Sequence, residues 1–87
     1  MPTLPTEAAL ADALVAAAEA HHEYEVNALH GVRDELWAGF YAAYVLGRLG
    51  DFMPATQLAH LLESAPEASA WVPSAAAYVF RRMTPEA

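Results

Sequence analysis

His21 and His22 precede Glu25 by four and three residues, within a stretch whose apolar positions recur at helical spacing. Residues three and four apart share one face of a helix. Either imidazole can therefore act with the Glu25 carboxylate, and this helix face could offer two or three ligands to a first-row metal. Farther along, Trp37, Tyr41 and Tyr44 repeat at intervals of four and three, and Arg33-Asp34 lie between the two groups. If the two segments fold against each other, two imidazoles, a carboxylate and two phenols converge on one seam with Arg33 and Asp34 at its open end. A few polar groups inside an apolar shell is the composition of a small-ligand pocket.

The same residues also suit a purely structural network, because a buried phenol or imidazole is costly without a partner. Other chemistries find little support. Glu19-Ala-His21-His22 contains one Glu-x-x-His match, but a di-iron bundle needs that motif twice and two further glutamates. Three residues before His60 stands Gln57. There is no cysteine to act as nucleophile or thiolate ligand. Ser64, Ser69 and Ser74 lack a nucleophile-elbow context, and no glycine-rich phosphate loop occurs. No cofactor is expected.

Four helices are expected to position these groups in a single all-α domain over residues 1–87. The first, about 6–30, starts from a Thr6 or Thr3 cap with Glu7 at the positive end of its dipole. Leu10, Leu14, Ala17, His21, Tyr24 and Ala28 form its inward stripe, with Ala11, Val15, Ala18, His22, Glu25 and Leu29 beside it. Asp12, Glu19, Glu23 and Asn27 occupy the solvated side. Gly31 suits the left-handed residue that ends a helix. A second helix, about 32–49, should then return antiparallel. Pairing outward from Gly31 sets Glu25 near Trp37, His22 near Phe40, His21 near Tyr41 and Ala18 near Tyr44.

This second helix is apolar on nearly every side. Gly39, Ala43 and Gly47 form a small-residue stripe along which another helix could approach, which would compensate for two glycines in a helix interior at roughly 1 kcal/mol each. Pro54 opens a third helix, about 54–64, with Leu58, Leu61 and Leu62 inward. Pro73 opens a fourth, about 73–83, and Arg81 and Arg82 suit the negative end of its dipole.

With 87 residues there is room for one core, yet 56% of the residues are hydrophobic. A chain of this size encloses apolar surface poorly, so a homodimer or a partner protein is expected to cover what remains. The formal net charge is −7, and the four basic residues are all arginines with no basic stripe among them. That excludes a nucleic-acid partner and an anionic membrane surface. The longest apolar run, Leu36 to Gly47, falls short of the roughly 20 residues of a spanning helix. The N-terminus lacks a signal-peptide pattern, which implies a cytoplasmic location.

His22, Tyr24-Glu25, Gly31, Arg33-Asp34, Trp37 and Phe40-Tyr41-Ala42-Ala43-Tyr44 resemble a signature of small, uncharacterised bacterial all-helical proteins. Its pattern runs His, Tyr-Glu, Gly-x-Arg-Asp, Trp, Trp-Tyr-Ala-x-Tyr, and here Phe40 replaces its second tryptophan. The resemblance covers the first hairpin, about a quarter of the chain. It implies a shared polar seam in a stand-alone or accessory domain, and no particular reaction. The expected function is thus that of a small non-catalytic accessory or interaction domain, and the alternative is a ligand-binding or metal-dependent enzyme using His21, His22, Glu25, Tyr41 and Tyr44.

Overall fold

A computed structural model describes residues 4–31, 36–65 and 70–83. Four helices follow in order: α1 (Glu7–Asn27), α2 (Trp37–Leu49), α3 (Ala55–Ser64) and α4 (Trp71–Met83). No strand occurs among the described residues, and none of the helices is long and apolar enough to cross a membrane. Helix α2 packs back along α1 and against α3, while α4 lies on α1 and more lightly on α3.

Local chemistry sets each boundary. Thr6 caps α1, its Oγ1 accepting from the Ala9 N–H at 3.0 Å, which satisfies one of the N–H groups the first turn leaves open. The other end stops at Asn27, three residues before the expected end. There the Leu29 N–H reaches Tyr24 O at 3.3 Å and the Gly31 N–H reaches Glu25 O at 2.8 Å. These longer loops widen the turn as His30 and Gly31 enter the left-handed region at φ 55° and 83°. Histidine is among the residues that tolerate this region, so the reversal expected of Gly31 is shared with its neighbour.

Helix α2 begins at Trp37 and not near residue 32. Leu36, at φ −102° and ψ 28°, stands outside the helix and caps it without a side-chain hydrogen bond. At the far end Gly50 adopts φ 99° and its N–H closes on Leu46 O at 2.8 Å. Helix α3 keeps its expected span, with Pro54 in the cap position. Helix α4 starts two residues before the expected Pro73, at Trp71. Pro73 is then the third helical residue, where a missing N–H costs no intrahelical bond.

The core joins Leu10, Ala13 and Leu14 of α1, Ala42, Val45 and Leu46 of α2, Leu58 and Leu62 of α3, and Ala75, Ala76 and Val79 of α4. Alanines at the contacts bring helix axes close, and each enclosed leucine or valine contributes about 1.5–3 kcal/mol by leaving water. The molecule measures 46 × 29 × 20 Å. Its shortest dimension is about two helix diameters, so every helix keeps one side outside the core. For α1 that side carries the exposed Asp12, Glu19, Glu23 and Asn27, as expected.

For α2 it carries Gly39, Ala43 and Gly47, all exposed. A Cβ built on either glycine would meet nothing within 4 Å. Among the described residues, then, no other helix closes on the stripe at either glycine. The reason lies in α2's angular order: Ala38, Ala42, Val45 and Leu46 already supply its buried side, which leaves the small residues opposite.

Candidate functional site

The seam between α1 and α2 is built from His21, Tyr24 and Glu25 on one helix and Trp37, Phe40 and Tyr41 on the other. His21 is 7% exposed, the only buried polar or charged side chain among the described residues. Its ring centroid lies 5.0 Å from that of Phe40 and 5.2 Å from that of Tyr41. Tyr24 covers the outer edge, 6.3 Å from His21 and 5.3 Å from Phe40. Toward α4, Trp37, Tyr41 and Trp71 form a triangle of nearly perpendicular rings with centroid separations of 5.5, 5.7 and 6.0 Å. These distances and angles are the edge-to-face arrangement that aromatic quadrupoles favour.

Polar groups thread this cluster. His21 Nε2 stands 3.9 Å from Glu25 Oε2. That is longer than a hydrogen bond, and it is an ion pair only when the imidazole is protonated. The Tyr41 phenol is held above its usual value of 10.0, first by burial and then by the neighbouring Glu25 carboxylate. Both causes disfavour the phenolate.

Of the residues singled out in the sequence, His21, Glu25, Trp37 and Tyr41 come together. His22 does not join them: it is exposed on α1, one helical step of about 100° away from His21. His21, with Tyr24 outside it, takes the position beside Phe40 that the sequence register assigned to His22. Tyr44 stands apart, lining a groove with Ala43, Gly47 and Arg48. Arg33 and Asp34 lie outside the described residues. Among the described residues no three or more His, Cys, Asp or Glu side chains are grouped to hold a metal.

Trp71 is the seam residue that the sequence did not disclose. Taking Pro73 as the helix start left Trp71 ahead of the fourth helix, whereas it is the first residue of α4. Tyr24 and Phe40 were visible as stripe members, and their pairing at the rim came only with the register.

Comparison with known protein families, with curated proteins and with solved structures returns no match to the chain.

Proposed function

We propose that this protein is a small protein-interaction domain whose working surface is the outward side of α2 and whose simplest mode of action is self-association. The observation that carries this reading is the composition of that side. Leu36, Gly39, Ala43 and Gly47 follow one another along it, all exposed, with no charge until Arg48 at its end. Leu36 is 79% exposed, and Tyr24, at 40%, extends the surface onto α1 through its contact with Phe40. The outward side of a helix in a monomeric domain ordinarily carries charge, as α1 does here. A continuous apolar surface marks an association site.

The seam supports a structural role in this reading. Its rings pack on one another and on the core, and they hold α2 at the angle that turns its small residues outward. A domain of this size gains from burying such a face against another chain.

Sedimentation equilibrium at micromolar concentration tests the proposal. The net charge of −7 opposes close approach of two copies, so the measurement belongs at physiological ionic strength, where the Debye length is about 8 Å. The expected result is a reversible dimer that Ala43→Glu converts to monomer with unchanged helicity. A wild-type monomer throughout the concentration range would overturn self-association.

A further inference from the structure

We infer that two copies of this chain pair through α2 in antiparallel fashion, about a two-fold axis between Gly39 and Ala43, with Leu36 of each copy seated in the groove beside Gly47 of the other. This rests on the self-association reading above and specifies its geometry. Three features of one helix face carry it. At the first end projects Leu36, 79% exposed, more than any other large apolar side chain described. At the other end lies a groove of about 390 Å³ lined by Ala43, Tyr44, Gly47 and Arg48. Between them the face narrows to Gly39 and Ala43.

A projection at the capping residue of α2 and a recess toward the helix's far end are self-complementary only when a second copy is turned end for end. Leu36, which caps α2, and Gly47 are eleven positions apart, a span of roughly 16 Å at the helical rise of 1.5 Å per residue. A two-fold axis at the midpoint of that span superposes projection on recess twice in one operation, which is the isologous contact of a closed dimer. That midpoint falls between Gly39 and Ala43, where the backbones must come closest and the side chains are smallest. Open space at both glycines lets a second helix approach there.

Charge selects the same orientation. Among the described residues Arg48 is the one charged side chain that lines the groove. Parallel pairing would place the two Arg48 side chains side by side, and would set Leu36 on Leu36 with both grooves unfilled. Antiparallel pairing separates the arginines. It directs each toward the end of the other copy where α1 finishes, with Glu23 exposed, Glu25 half-buried and the negative end of the α1 dipole.

The absence of cysteine from the chain allows a direct test. Leu36→Cys and Gly47→Cys are made as separate single variants, both at exposed positions, and Val15→Cys, exposed on α1, reports collisional cross-linking. Each is oxidised alone and the first two are oxidised as a mixture, with sedimentation equilibrium run on the reduced proteins. The expected result is a disulfide-linked species containing one copy of each variant in the mixture, at least several-fold faster than any variant links to itself. Self-linking of Leu36→Cys or Gly47→Cys as fast as the mixture would overturn the antiparallel register. A sedimenting dimer with linking in the mixture no faster than the Val15→Cys background would overturn this face and leave self-association standing. A wild-type monomer would overturn both.

Discussion

Trp37, the first residue of α2, and Trp71, the first of α4, meet edge to face with ring centroids 5.7 Å apart and planes at 79°. The two residues are far apart in the chain, and helices α2 and α4 otherwise make no close backbone approach. Tyr41 completes the contact, 5.5 Å from Trp37 and 6.0 Å from Trp71. The start of the fourth helix is thereby tied to the first hairpin, and the Tyr41 side chain is partly withdrawn from water.

Trp71→Ala should consequently lower unfolding stability by about 2–3 kcal/mol, somewhat below the range for a fully enclosed tryptophan because Trp71 is only half-buried. Trp71→Phe should lose less than half of that. Urea denaturation with an unchanged m-value reads both, and a Trp71→Ala midpoint equal to wild type would show that the triangle of rings contributes nothing.

Tyr41 predicts how stability responds to alkaline pH. Its phenol is raised above 10.0 in the folded chain. Between the unfolded and folded values the unfolded chain has released a proton that the native one keeps, so stability falls as pH rises. The contribution is fully present below pH about 10 and disappears as pH passes through the folded value. Glu25→Gln removes the second cause of the shift, so tyrosinate absorbance should then develop at lower pH. An unchanged titration would mean that the carboxylate does not reach the phenol.

The Thr6 cap supplies a local test of helix α1. Thr6→Ala leaves the Ala9 N–H without its 3.0 Å acceptor and should cost about 1 kcal/mol. Thr6→Ser should retain most of the stability. Thermal unfolding of the three proteins distinguishes these outcomes, and equal midpoints would locate the cap elsewhere.

Gly39→Leu should separate protomer stability from association. A Cβ added at Gly39 meets no atom within 4 Å, and replacing a helical glycine gains up to about 1 kcal/mol. Unfolding measured at high dilution should thus show equal or higher stability. Sedimentation at micromolar concentration should show loss of the dimer, because the helices can no longer close. Destabilisation by the 1–3 kcal/mol typical of overpacking in the dilute protomer would mean that Gly39 faces the chain's own interior.

Much of this arrangement was legible in the sequence. Periodicity located four helices, since apolar spacing of three and four residues together with the Thr6 cap, Gly31, Gly50 and Pro54 acts near most boundaries, while the start of α2 at Trp37 falls five residues later than expected. The convergence of His21, Glu25, Trp37 and Tyr41 was legible too, because an antiparallel return of two periodic segments brings their facing stripes together, even though the connection over 28–36 is longer than the turn expected at Gly31. Three matters were decided by tertiary structure. Whether His21 or His22 faces the seam depends on a rotation of about 100°, which packing against Phe40 and Tyr41 selects and spacing cannot. Trp71 belongs to the seam because α4 folds back onto the hairpin, a contact between residues distant in sequence. The stripe of Gly39, Ala43 and Gly47 has the same spacing whether it faces a neighbour or water. Its direction was set by the alternative side of α2, where Ala38, Ala42, Val45 and Leu46 bury more apolar surface against α1 and α3 than glycines could.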